Sequence, residues 1–373
     1  MGVYRSPRIE SYWCQEPDEP LHTPRRYMPL KRFQQIKRFL HISRHEADIS
    51  YKQQPKDKRW WYKLEPLASL WESAAQRYYQ VGSNLSIDET MIRCFGRSPH
   101  TIKLPCKPIE KGYKIFVLAE HGYIWAFIWS SKLWGLPSFF RWPGISPTGS
   151  MVLEMIRKLP RISQFASQFA GQFAGQFAGQ FAGQFAGQFA GQTASQTAGQ
   201  FAGQPTAYNV YMDNYFSTVA LFRELRDMQC GACGTTRRYS GIPSQLVEIK
   251  DHIKSIPWGR LYSSEAQGVL CLAWQDNNIV LLLSTIHSPY LYTRTKRKRP
   301  AATSTNAAIA RAPFGTDFEK ELDIPTAIDD YNHHMGSVDI ANQYRASYEI
   351  HRKTNRSWFP LFYFFLDAAI INA

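Results

Sequence analysis

The spacing of apolar positions changes several times along the chain, and each change marks an element. Tyr208 to Met212 is a short aromatic and β-branched run of strand type. Beyond it, Val219, Leu221, Phe222, Leu225 and Met228 recur at helical spacing, with Ser217 opening the helix. A strand therefore ends at Asp213 before a helix begins. Leu85, Ser86 and Ile87 alternate as a strand leading into Asp88, and the apolar segments on either side of His121 and Gly122 predict a hairpin turned at those two residues. Further on, Gly336 and Ser337 read as a helix entry with Ser337 as N-cap, so Asp339 falls in the first turn of a helix running towards Tyr348. RFQQIKRFLHIS near the N-terminus predicts an amphipathic helix, while GVLCLAW and NIVLLLSTI predict short strands. The apolar run 358–371 contains Pro360 and Asp367, is too short to span a membrane, and reads as a buried helix.

Residues 164–203 follow neither period. They are a tandem tetrapeptide, mostly Gln-Phe-Ala-Gly with Thr variants around Thr193 and Thr197. A helix would carry a glycine in nearly every turn, at about 1 kcal/mol each. A strand would place every phenylalanine on one face, a composition that favours sheet stacking. A disordered or self-associating loop is expected. Because closure entropy grows only as the logarithm of loop length, such an insertion need not unfold the surrounding core.

The chemistry lies in the three aspartates at predicted element edges. Asp213 stands at a strand's carboxyl end, where ligands collect in open α/β sheets. Asp88 lies inside a β run, where a carboxylate is disfavoured unless something binds it. Asp339 sits where a helix dipole favours negative charge. Each has a bland reading: Asp88 paired with a buried arginine, Asp213 forming a turn, Asp339 complementing the dipole. Three carboxylates delivered from distant stretches are nevertheless what a divalent-metal site for phosphodiester chemistry requires.

LSIDETMIRCFGRSPHTIKLPCKPIEKGYKIF, then YMDNYFSTVALFREL, then DDYNHHMGSVDIANQYRASYEIHRKTNRSWFPLFYF, in that order, resemble the piggyBac family of DDE transposases. The resemblance runs from MGVYRSPRIESYW to the last helix and leaves out residues 164–203. It implies an α/β fold with a ribonuclease H-like (retroviral integrase-like) DDE core, a mainly β insertion and a helical N-terminal region. The domains it implies are 1–80 for DNA binding and dimerisation, 81–236 for the first part of the core, 237–325 for the insertion with a flexible basic segment near 296–315, and 326–373 for the end of the core. It makes Asp88, Asp213 and Asp339 catalytic residues and ligands of two Mg²⁺ or Mn²⁺ ions. It further implies cut-and-paste transposition at TTAA, double-stranded transposon ends as substrate, and a homodimer. The family places another aspartate three residues after the third, where this chain has Asn342, one helical turn from Asp339. Asn342 is thus a weaker metal ligand than the residue it replaces, and less tightly bound metal is expected. The family's cysteine-rich C-terminal module is expected to be missing from a chain ending at Ala373.

Composition agrees with a DNA-handling protein without identifying one. The formal charge is +14 over 373 residues, which favours polyanionic partners. TRTKRKRP at 293–300, with Lys296, Arg297, Lys298 and Arg299, reads as a nuclear localisation signal, a DNA-backbone contact or a solvated loop. A second basic group, His351, Arg352, Lys353 and Arg356, follows the Asp339 helix. Trp358 beside it suits either stacking on a base or, more simply, core packing with its apolar neighbours. The six cysteines are scattered, and the single CxxC at Cys230 and Cys233 cannot complete a zinc site, so both read as buried thiols. His333 and His334 read as packing or turn residues. No secretory or transmembrane segment is evident. Three functions compete: an active transposase located in the nucleus, a decayed or domesticated transposase-derived DNA-binding protein, and a self-associating protein dominated by its phenylalanine tract.

Overall fold

In the computed structural model of the chain, the described residues are 8–14, 23–43, 60–105, 107–160, 208–250, 256–351, 354 and 356–373. The repeat tract 164–203 lies outside them, as do Arg352 and Lys353.

Eleven strands occur among these residues: β1 Asn84–Arg93, β2 Ile102–Lys103, β3 Lys111–Glu120, β4 Tyr123–Ser130, β5 Tyr208–Met212, β6 Cys230–Thr235, β7 Leu261–Ala266, β8 Val269–Gln275, β9 Ile279–Ser284, β10 Tyr292–Lys298 and β11 Glu319–Pro325. The α-helices are α1 Thr23–Tyr27, α2 Leu30–Phe39, α3 Glu65–Tyr78, α4 Pro147–Ile156, α5 Val219–Asp227, α6 Ser244–Ile249, α7 Ala307–Arg311, α8 Thr326–His334, α9 Ser337–Ser347 and α10 Phe359–Ile371. Nine strands form one mixed sheet in the order β2-β3-β1-β5-β6-β9-β8-β7, with β4 also paired to β3. The remaining two, β10 and β11, make a separate antiparallel ribbon.

The β3–β4 hairpin turns at His121 and Gly122, both at positive φ, as the sequence predicts. On the other side of β1, β5 and β6 run parallel to it. The connection between β5 and β6 is α5, whose Val219, Leu221, Phe222 and Leu225 are buried against the sheet. Its N-cap is Thr218 rather than Ser217: the Thr218 hydroxyl accepts from Leu221 N, while Ser217 donates to the Asp213 carbonyl. The strands predicted in 237–325 appear as β8 and β9, and together with β7 they extend the main sheet from β6.

Strand alternation sends Leu85 and Ile87 of β1 into one core with α4 and α5. The opposite face of β1, β3 and β4 buries Ile92, Ile115, Val117 and Phe127 beneath α3, α9 and α10. The predicted buried helix at the C-terminus is thus observed as α10, with Phe364 and Phe365 almost wholly enclosed. A third cluster gathers Tyr211, Trp274, Ile324 and Ile328 under α8. No helix among the described residues is long and apolar enough to cross a membrane.

Two local expectations are corrected. Ser337 is the first residue of α9 and not its cap; Gly336 holds that position. Because α8 ends only three residues earlier, the Ser337 hydroxyl turns back to donate to the His334 carbonyl. The stretch 296–315, expected to be flexible, instead carries the end of β10, helix α7 and a 3-10 turn at Ala312–Phe314. Cross-strand pairing explains the difference, since Arg294 and Lys296 of β10 meet Glu321 and Glu319 of β11.

Candidate nuclease site at the β1–β5 junction

Parallel pairing of β1 with β5 sets Ser86 beside Tyr211 and Ile87 beside Met212. The next pair in that register is Asp88 and Asp213. Neighbouring strands lie roughly 5 Å apart, and residues in register share a face, so two aspartates from distant parts of the sequence stand side by side. Asp88 lies mid-strand, with Asp213 just past the carboxyl end of β5. Asp88 is buried, and its Oδ1 accepts from Glu89 N at 2.7 Å. The Asp213 Oδ1 accepts from Tyr215 N at 2.8 Å.

Burial, then Glu89 and Asp213, push the Asp88 carboxyl up to about 7. Asp213 is also raised, first by burial and then, against a lowering hydrogen bond from Tyr215, by Glu89. Two carboxylates held close in a desolvated place repel each other unless a cation lies between them. Ser86 and Thr90 share the Asp88 face of β1, and their buried hydroxyls have no hydrogen-bond partner among the described residues. The strip Ser86-Asp88-Thr90 is therefore polar, enclosed and under-satisfied, an environment that suits a bound cation better than an apolar core.

Helix α9 packs across β1, β3 and β4 on this face, with Val338 and Ala341 in the core beneath it and Asp339 in its first turn. Asp339 approaches the site through Lys107. Burial works against the Lys107 charge, but Glu89 more than offsets it, and Asp88 and Asp339 add to the effect, leaving its pKa raised. The Lys107 Nζ lies 3.0 Å from Glu89 Oε1. Among the described residues, no group of three or more His, Cys, Asp or Glu side chains is arranged to hold a metal ion. The structure thus brings Asp88 and Asp213 together, while Asp339 does not share a joint ligand set with them. Asn342 lies one turn further along α9, and its side-chain oxygen accepts from Arg345 at 3.3 Å.

Three residues near the pair were not singled out from the sequence. Glu89 and Lys107 form the ion pair just described. Tyr331 of α8 has its hydroxyl 3.2 Å from Thr235 Oγ1, and burial, with smaller contributions from Asp213 and Asp88, raises its pKa to about 12. The adjacent carboxylates in Asp88-Glu89 were a visible signal. Tyr331 and Lys107 had none, because only the packing of α8 and the path of the 104–110 loop bring them near.

The expected DNA-binding residues fall on separate surfaces. Lys296 and Lys298 are exposed on β10, and Arg297 reaches Asp276 at 2.8 Å while lying over the Trp274 ring. Arg299 donates to the Gly315 carbonyl. On another element, Arg356 donates to the Arg38 carbonyl, and Trp358 stacks on Phe359 with ring centroids 4.2 Å apart. Arg356 and Trp358 line a cavity of about 300 Å³ with His41 and Lys63. Cys230 and Cys233 are buried on opposite faces of β6, in different core clusters. His333 Nδ1 bonds the Asp329 carbonyl, and His334 packs on Tyr211.

A family model described as Transposase IS4 matches residues 1–159 and 187–373. The chain belongs to this transposase family. The unmatched residues 160–186 fall largely within the tetrapeptide tract. Human PiggyBac transposable element-derived protein 3 is 24% identical over 357 residues, covering 93% of this chain and 48% of that protein. Human PiggyBac transposable element-derived protein 2 is 22% identical over 379 residues, covering 100% and 52%. The chain therefore spans about half the length of these curated relatives. The fold is similar to that in the cryo-EM structure of a piggyBac transposase synaptic complex with hairpin DNA. The TM-score is 0.61 at 18% identity, over 92% of this chain and 56% of that one. The piggyBac resemblance expected from the three sequence blocks is thereby shown, together with a mixed α/β fold built on a large central sheet.

Proposed function

We propose that this transposase-family chain carries a metal-dependent DNA strand-cleavage and strand-transfer site, with Asp88 and Asp213 as its central carboxylates and Asp339 as the third. The observation that carries this reading is the register of parallel β1 and β5, which sets buried Asp88 beside half-buried Asp213 just past the end of β5, both with raised pKa values. The strand order supports a ribonuclease H-like core, since an antiparallel meander, β4-β3-β1, continues into parallel β5 and β6. A pair of Mg²⁺ or Mn²⁺ ions held by such carboxylates would activate an attacking hydroxyl and stabilise the leaving oxygen of an in-line displacement.

The chain's own groups divide the remaining work. Asp88 and Asp213 would hold the cations, and Asp88 would give up its proton to do so. Lys107 balances the carboxylate charge when no cation is bound. The Tyr331 hydroxyl remains protonated and positions Thr235 at the end of β6. Transposon ends, TTAA targets, a homodimer and nuclear location complete the proposal, with the exposed cations of β10 and the Arg356–Trp358 cavity as DNA contacts. Arg352 and Lys353 are assigned to the same basic group.

One observation favours a second reading, a transposase-derived DNA-binding protein that no longer cleaves. Asn342 stands where a fourth carboxylate is expected, and its oxygen is already engaged by Arg345. A single assay separates the two readings: nicking of a transposon-end DNA with Mg²⁺ or Mn²⁺, by the wild type, Asp213→Ala and Asn342→Asp. The first reading expects nicking by the wild type, loss in Asp213→Ala and a gain in Asn342→Asp. Nicking that persists in Asp213→Ala removes the mechanism. Absence of nicking in the wild type, with DNA binding retained, establishes the second reading.

A further inference from the structure

An open groove of consistent positive charge lies away from the aspartates. A cleft of about 730 Å³ is lined by Arg97, Lys103, Lys111 and Lys132, together with Ser98 and Thr101, and no carboxylate lines it. All four cations are exposed, and none forms an ion pair among the described residues. The β10 cations differ in this respect, since Arg294, Lys296 and Arg297 are each matched by a carboxylate.

The walls of the cleft are fixed before any ligand arrives. His100 Nδ1 lies 2.9 Å from Ser131 Oγ, and Lys132 N donates to the His100 carbonyl, so the 94–101 and 131–135 loops are tied together. Ser131 Oγ also accepts from Leu133 N and Trp134 N, and the His100 ring stacks on Trp60. Thr101 Oγ1 donates to the Ser98 carbonyl, and Lys103 and Lys111 face each other across the β2–β3 pair. Along β3, Lys111 is six residues from Val117, the partner of Asp88. At about 3.3 Å per residue, the groove begins roughly 20 Å from the aspartate pair.

We propose that this groove grips the sugar-phosphate backbone of double-stranded DNA at a distance from the cleavage site. Unpaired Lys and Arg side chains with Ser and Thr hydroxyls are the groups that contact phosphates, and such contacts fix position without reading bases. Four unneutralised cations in a rigid trench release counterions from a duplex at little cost in ordering. The inference rests on the transposase reading above for its choice of polyanion, but not on the aspartates or on any metal.

The test is binding of the full chain to a random-sequence duplex in chelator, across a salt series. The wild type is compared with single Gln variants of Arg97, Lys103, Lys111 and Lys132 and with the combined variant. Each single change is expected to lower the slope of log affinity against log salt by about 1, and the combined variant to lower it by about 3 to 4. The losses should be equal for unrelated sequences, and thermal melting should be unchanged. An unchanged slope in a folded combined variant overturns the inference, as does a wild type that binds no duplex. Stronger binding of polyglutamate than of DNA at the same groove also overturns it, in favour of an acidic peptide. Asp88→Asn is carried alongside. If the slope falls as expected while the wild type fails to nick transposon-end DNA in a parallel assay with Mg²⁺ or Mn²⁺, the groove stands and the nuclease reading fails.

Discussion

At the residue scale, the Asp88 carboxyl is the most consequential single group. Its pKa, ordinarily 3.8, is pushed to about 7 by burial, Glu89 and Asp213, so the folded protein binds its proton more tightly than the unfolded chain does. The sign follows from linkage. Below pH 3.8 both states are protonated, and between 3.8 and about 7 the folded state alone holds the proton, so stability falls as pH rises through that window. Asp88→Asn removes this burden. In metal-free denaturant unfolding it is expected to stabilise the protein by about 1–3 kcal/mol at pH 8, with the difference vanishing near pH 4. A variant no more stable than wild type at pH 8 would show that Asp88 is not under electrostatic strain. The same proton must leave before a cation binds, so metal affinity should rise with pH towards 7.

At the element scale, the closeness of β5 and β6 decides where Asp213 stands. Gly234 pairs with Met212, and a Cβ added to it would meet the Met212 carbonyl oxygen at 2.5 Å and Ser217 Oγ at 2.4 Å. The carbonyl belongs to the backbone immediately before Asp213 and has little freedom to retreat. Gly234→Ala is expected to destabilise by about 1–3 kcal/mol, as overpacking does, and to weaken metal binding by displacing Asp213. Chemical denaturation and isothermal titration with Mn²⁺ check the two effects separately. The requirement for glycine was not legible in the sequence. Cys230 and Cys233 beside it read only as buried thiols, and the partner strand that crowds Gly234 lies about twenty residues earlier. The helix after Asp213 was legible because its apolar spacing is set locally; only its cap moved, from Ser217 to Thr218.

At the scale of the whole molecule, helices from the two ends of the chain cover the Asp88 face of the sheet. Phe365 of α10 packs on Trp71 of α3 and on Phe127 and Trp129 of β4, with ring centroids 5.3–5.8 Å apart. Phe365→Ala leaves a cavity where these elements meet. It is expected to cost about 3–5 kcal/mol in equilibrium unfolding, and a loss under about 1 kcal/mol would show that α10 is not integral to the core. Charge is likewise a property of the assembled molecule. The densest basic run in the sequence, 293–300, is partly neutralised once β10 pairs with β11, whereas Arg97, Lys103, Lys111 and Lys132, spread over about 36 positions, converge on one open groove.

The elements that carry Asp88, Asp213 and Asp339, the β3–β4 hairpin, the buried C-terminal helix and membership of the transposase family were all readable along the chain. These follow from period, turn chemistry and motif order, all of which are local in the chain. Tertiary structure decided which groups meet. The β1–β5 register set Asp88 beside Asp213, the packing of α8 brought Tyr331 within electrostatic reach of them, and a loop carried Lys107 to Glu89. It also turned the Asn342 oxygen to Arg345 and left one basic cluster bare while pairing another. Hydrophobic spacing specifies what a segment becomes. Contacts between segments depend on strand register and helix docking, which are fixed by the burial of residues far apart in sequence.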